Sequence, residues 1–170
     1  MKIIGSLLWT LSALLLIAAC SPGTEEETPQ PEIPTQPGTG EEENQDDPME
    51  YETLLLTVNG RSFTATLENN ASVTALIERL TEGPLQIRMD DYGDMEKVGS
   101  LGFSLPRNDV QTTTGVGDIV LYQGNSIVIF YGRNTWSYTR LGKVDGVSTR
   151  EEMLDRLGGK GSIVLTLSIR

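Results

Sequence analysis

The stretch Gly117–Val144, GDIVLYQGNSIVIFYGRNTWSYTRLGKV, constrains the fold more than any other part of the chain. Ile119–Tyr122 and Ile127–Tyr131 are apolar, β-branched runs separated by Gln123-Gly124-Asn125. Such runs favour extended backbone, and glycine supplies the positive φ of a tight reversal, so the pair reads as a hairpin. Phe130 and Tyr131 must then face opposite sides of one strand. An aromatic segment follows, and Leu141–Val144 reads as a further short strand. The remaining elements must pack against a sheet built around this hairpin.

Elsewhere the same signals recur. Leu54–Val58 and Arg61–Leu67 flank Asn59-Gly60, the pairing that suits a two-residue turn with both central φ positive. Asn70 can cap a short helix with Val73, Leu76, Ile77 and Leu80 on one face, ended by Gly83-Pro84. Leu85–Met89 reads as a strand, Asp90–Asp94 as a loop, and Leu101–Leu105 as an extended piece broken by Pro106. Residues 108–117 read as a polar loop. Ser148-Thr149-Arg150-Glu151 fits a capping box with Ser148 as N-cap, opening a helix with Met153, Leu154 and Leu157 on its apolar side. Ile163, Leu165, Leu167 and Ile169 alternate through a last strand. Seven or eight strands with two short helices predict a mainly β fold, a closed barrel, because closure removes the exposed edges of many short strands.

Charge divides the chain. Residues 21–50 hold ten acidic residues, no Lys or Arg and six of the eight prolines, whereas residues 51–170 are nearly balanced. The first composition cannot bury a core and reads as a disordered acidic, Pro-rich tether over 20–50; the second reads as one domain over 51–170. A nearly neutral domain offers no electrostatic footprint for nucleic acid. Residues 1–19, with Lys2 followed by an apolar run, read as a signal peptide. Leu16-Ile17-Ala18-Ala19-Cys20 resembles a bacterial lipobox, which implies cleavage before Cys20 and lipidation of its thiol. With Ser21 next, it implies a lipid-anchored protein of the bacterial cell envelope, at the outer membrane.

The chain has no histidine, and Cys20 is its single cysteine. Ser-His and Cys-His catalysis, imidazole metal sites and an internal disulfide are therefore excluded. No cofactor or metal is called for. Asp90, Asp91, Asp94 and Glu96 lack the spacing of a calcium loop and read as solvated carboxylates in a Gly-containing turn. Gly158–Ser162 follows a helix and precedes a strand, the reverse of a phosphate loop.

Ile127–Phe130, Thr135-Trp136 and Leu141-Gly142-Lys143-Val144-Asp145-Gly146 together resemble the second half of a cyclophilin. With Tyr92-Gly93, Glu96-Lys97-Val98-Gly99, Phe103–Pro106, Gly117–Ile119, Tyr122 and Phe130–Gly132, the segment from about Leu54 to Ile169 resembles the bacterial cyclophilin-like domains. The resemblance implies an eight-stranded barrel with two helices. It does not carry prolyl isomerase chemistry: no histidine follows Trp136, no Phe-Met-x-Gln strand exists, and no arginine sits in the isomerase motif. The reading is a monomeric, non-catalytic domain binding a peptide or small ligand in a shallow apolar cleft, with Phe103, Leu105, Trp136 and Tyr138 as candidate walls. A weak or divergent isomerase acting on secreted proteins is the alternative. A third class, an enzyme working with carboxylates and tyrosines, would need a perturbed carboxylate in a cleft.

Overall fold

The computed structural model describes residues 53–170. The expected signal peptide, Cys20 and the tether lie outside the described residues. Within them the chain runs β1 (Leu54–Val58), β2 (Arg61–Leu67), α1 (Ala71–Thr81), β3 (Leu85–Tyr92), β4 (Glu96–Ser100), β5 (Val110–Thr113), β6 (Asp118–Tyr122), β7 (Ser126–Phe130), β8 (Thr135–Val144), α2 (Arg150–Arg156) and β9 (Ile163–Ile169). Strand order is β2-β1-β9-β3-β4-β7-β6-β8, and β2 pairs with β8, so eight antiparallel strands close into a barrel. The ninth strand, β5, pairs only with the first half of β8.

Alternation decides which side chains enter the barrel. Leu54, Leu56, Ile87, Met89, Ile119, Leu121, Ile127, Ile129, Leu165 and Leu167 fill it, and Val73, Leu76 and Leu80 of α1 and Met153 and Leu157 of α2 extend the same core. Asn59 (φ 51°) and Gly60 (φ 77°) make the β1–β2 turn in the left-handed region, as their sequence requires. At the closing seam Gly142 leaves no room for a side chain, since a Cβ there would run into the Thr66 carbonyl. Asn70 caps α1, its side chain accepting from Val73 N at 3.1 Å and donating to Arg140 O at 2.9 Å.

Four local expectations need correction. Asp90–Tyr92 is not loop but the end of β3, because Asp90, Asp91 and Tyr92 pair in register with Val98, Lys97 and Glu96 of β4. Leu101–Leu105 is a loop rather than a strand; its Leu101 and Leu105 amides donate to the Asn125 and Gly124 carbonyls of the β6–β7 turn, each at 2.8 Å. The segment 108–117 contains β5. The capping box sits one residue later than its motif suggested: Thr149 is the N-cap, and Glu152 accepts from the Ser148 and Thr149 amides at 2.8 and 3.0 Å. Either hydroxyl has an acidic residue three positions on, so the pattern alone left two registers open.

Candidate functional site

The outer face of β4, β7, β6 and β8 carries a second apolar layer. Val120, Val128, Phe130 and Tyr138 form it, with Val98 and Tyr122 packed alongside. Tyr138 meets Tyr122 and Phe130 edge-on, at 6.0 and 5.7 Å between ring centres. These residues face outward because their strand neighbours Ile119, Leu121, Ile127 and Ile129 face inward. On β8 the face is set by a bulge: Ile119 pairs with Gly142 but Val120 pairs with Arg140, leaving Leu141 as an extra residue. Alternation alone would turn Leu141 inward, and the extra residue then lets Val144, of the same parity as Trp136 and Tyr138, enter the core while those two keep to the outer side, the usual effect of a bulge on side-chain direction.

This layer floors a cleft of about 460 Å³ lined by Tyr92, Glu96, Val98, Tyr122, Ser126, Asn134, Trp136 and Tyr138. Trp136 stands 57 % exposed at one wall, and Tyr92 is 64 % exposed at another. Tyr138 is buried, and its hydroxyl accepts from Asn134 Nδ2 at 2.9 Å. Register places Glu96 between Tyr92 on β3 and Phe130 on β7. It is 6 % exposed, and among the described residues its Oε2 is the buried side-chain polar atom with no hydrogen-bond partner. Burial without compensation disfavours the charged form, and the Glu96 carboxyl is pushed up to about 7. Tyr138 is raised as well, by burial first and by the nearby Glu96 second.

The next residue shows what compensation looks like. Lys97 points the other way, into the end of the barrel, and is fully buried. Its Nζ donates to Asp91 Oδ1 and to Gly161 O, each at 2.6 Å. Asp91 also accepts from Tyr131 Oη at 3.0 Å and from the Gly161 amide. Burial pushes the Asp91 carboxyl up, but these donors outweigh it and hold it below the ordinary carboxylate range. Asp91 and Glu96 are thus neither solvated nor part of one turn.

The structure brings together two of the four residues expected to line a cleft, Trp136 and Tyr138. Phe103 and Leu105 lie elsewhere. Leu105 is buried in the barrel core, and Phe103 packs against that core under the Arg79 guanidinium, 4.9 Å from its ring centre. Tyr92, Glu96, Val98, Tyr122, Ser126 and Asn134 complete the lining and are not apparent from spacing, since they come from four strands and a loop joined only by sheet register. A larger groove of about 570 Å³ between Arg61, Phe63, Asp145 and Arg156 is less suited to a ligand, because its charges already have partners. Arg61 pairs with Asp155 at 2.9 Å, Arg156 donates to Gly146 O, and Asp145 accepts from Thr64 and Thr66 at 2.6 and 2.8 Å. Among the described residues no cluster of three metal-ligating side chains occurs.

A family model described as the cyclophilin-like family matches residues 56–168. A solved structure, that of the hypothetical protein AF2241 from Archaeoglobus fulgidus, is similar in fold, with a TM-score of 0.53 and 15 % sequence identity over 71 % of this chain and 96 % of that chain. No curated protein matches the sequence.

Proposed function

From the premise that the chain belongs to the cyclophilin-like family, whose fold alone assigns no chemistry, we propose that the domain is a binding module. Its cleft takes a peptide or small ligand, and the module is displayed on a membrane by a lipid on Cys20 and the acidic tether. The observation that carries the reading is Glu96 Oε2, unpartnered at the floor of an aromatic cleft. A buried acceptor left without a donor costs stability, and a ligand donor would satisfy it.

An acid–base enzyme is the second reading, and the elevated Glu96 favours it, since a carboxyl near pH 7 suits proton transfer. Against it, the lining holds no second carboxylate, no Lys and no Arg to divide acid, base and charge-stabilising roles. The absence of arginine from the lining also speaks against a divergent prolyl isomerase.

The test compares the full chain with its Trp136→Ala variant. Each is incubated with membrane-fraction extract, recovered under native conditions, and its bound small molecules and peptides identified by mass spectrometry. The expected result is a species retained by the parent and lost from the variant, with no acceleration of Xaa-Pro isomerisation by either protein at high concentration. Identical retention by both proteins would refute the binding role of the cleft, and isomerisation by the parent alone would replace it with catalysis.

A further inference from the structure

The cleft collects four of the eight aromatic residues among positions 53–170: Tyr92, Tyr122, Trp136 and Tyr138. Three rings elsewhere are faced by a guanidinium of this chain. Arg156 lies over Phe63 at 5.8 Å, Arg79 over Phe103 at 4.9 Å and Arg150 over Tyr131 at 4.7 Å. Among the described residues no cation of the chain lies over any of the four cleft rings. The one charged or chargeable group beneath them, apart from the phenols, is the Glu96 carboxyl, with Oε2 unpartnered.

Aromatic faces carry negative quadrupole potential, and a carboxylate adds full negative charge to the same enclosure. An anionic ligand would meet repulsion with no lysine or arginine in the lining to offset it. A neutral apolar ligand would leave Glu96 as an unpaired buried acceptor. An organic cation satisfies both features at once: its charge sits against the rings while an N–H pairs with Oε2.

We propose that this cleft recognises an alkylammonium group, of a free amine or of a lysine side chain in a peptide, with Glu96 as counter-ion and Trp136, Tyr138, Tyr92 and Tyr122 as its aromatic enclosure. This rests on the binding reading above and narrows it to one ligand chemistry.

Proton linkage gives the cleft a recognisable signature. Glu96 must lose its proton to pair with an ammonium, and its carboxyl titrates near 7. The groups facing it are Tyr92 from β3, Tyr122 from β6 and Tyr138 from β8, while β7 contributes the non-titrating Ser126 and Phe130. The ionised fraction rises about tenfold from pH 6 to pH 8, so affinity should rise about tenfold with it.

The experiment uses the full chain carrying Trp9→Phe, in which Trp136 is the single tryptophan, and follows its fluorescence at constant ionic strength. The probes are n-butylammonium and an acetylated, amidated tripeptide Gly-Lys-Gly. Their controls are 1-butanol and the same tripeptide with norleucine for lysine, which removes the ammonium but keeps the chain. Expected are saturable binding of an ammonium probe, at least tenfold tighter than its control and about tenfold tighter at pH 8 than at pH 6. Glu96→Gln should weaken it at least tenfold, and circular dichroism checks that the variant is folded. The pH profile of the unmutated chain tests the same point without any variant. Butylammonium binding alone assigns a free amine, and binding confined to the peptide assigns a lysine side chain. Norleucine and lysine peptides binding equally would overturn the ammonium inference and leave the binding module standing. Failure of every probe would overturn the inference, while the extract comparison decides the module separately.

Discussion

Replacing Glu96 by Gln should make the domain more stable, and only above a definite pH. The carboxyl has an ordinary pKa of 4.5, and burial pushes it up to about 7. Below the ordinary value both folded and unfolded chains hold the proton, and the group is neutral in each. As pH rises through the ordinary value the unfolded chain releases the proton first, the folded chain retains it, and stability falls. Above about 7 both states are ionised and the full penalty is present. Each tenfold difference in proton affinity is worth about 1.4 kcal/mol, so the penalty approaches about 3 kcal/mol, reduced to about 2 by water entering the open cleft. Glutamine keeps the shape and never ionises. Urea denaturation of the full chain and of Glu96→Gln, from pH 4.5 to pH 8.5, reads the difference as a shift in midpoint of about 1 M at the alkaline end. The carboxylates held below their ordinary range, Asp91, Asp109 and Asp145 among them, are common to both proteins and cancel. Parallel stability profiles, with a midpoint difference independent of pH, would refute the reasoning.

Two other perturbations address the barrel and the leader. Asp91→Ala leaves the buried Lys97 ammonium without its carboxylate and should cost about 3–5 kcal/mol; adding Lys97→Met should restore part of that loss, and a double variant as unstable as the sum of the singles would show that the two do not act as a pair. Cys20→Ala should move the protein from the membrane fraction to the soluble fraction, and unchanged membrane association would exclude a lipid on that thiol as the anchor.

What was legible in the sequence follows from the range of the interactions. Asn59-Gly60, the Asn70 cap and the alternating 163–169 strand are local devices, and all three are found where the residues put them. The barrel followed from the number of short strands, and its closure through Ala65–Leu67 and Gly142–Val144 is the one consequence those strands allow without a long open edge. Glu96 was not legible. Beside Asp90, Asp91 and Asp94 it looks like one more solvated acid, because sequence proximity to a glycine turn suggests a loop. Sheet register overrides that: β3 runs three residues into the expected loop, through Asp90, Asp91 and Tyr92, and Tyr92 pairs with Glu96. The polar run Asp90-Asp91-Tyr92 conceals a strand because Asp91 faces inward only by virtue of Lys97, a partner that no short-range pattern announces. Half the expected cleft failed to assemble for a related reason. Phe103 and Leu105 lie on a loop whose backbone is tied to the β6–β7 turn, which directs Leu105 inward to the core.

Glu96 and Lys97 are neighbours in sequence, both buried, on opposite faces of one strand, and the chain treats them in opposite ways. Lys97 receives an ion pair and a carbonyl; Glu96 receives nothing for Oε2. A fold that neutralises one buried charge so completely has no structural need to leave the adjacent one exposed to the cleft alone. An apolar residue at position 96 would continue the layer formed by Val98, Val128 and Phe130 and would remove the desolvation cost. On the proposed binding reading, the destabilising residue is placed where a ligand, rather than the protein, would complete it. It follows that stability and affinity must separate at this position. Glu96→Gln should gain stability at alkaline pH while losing ammonium binding, whereas a residue serving packing alone would move both in the same direction. A variant series at position 96 in which the two rise and fall together would break the link between the unpaired oxygen and the ligand.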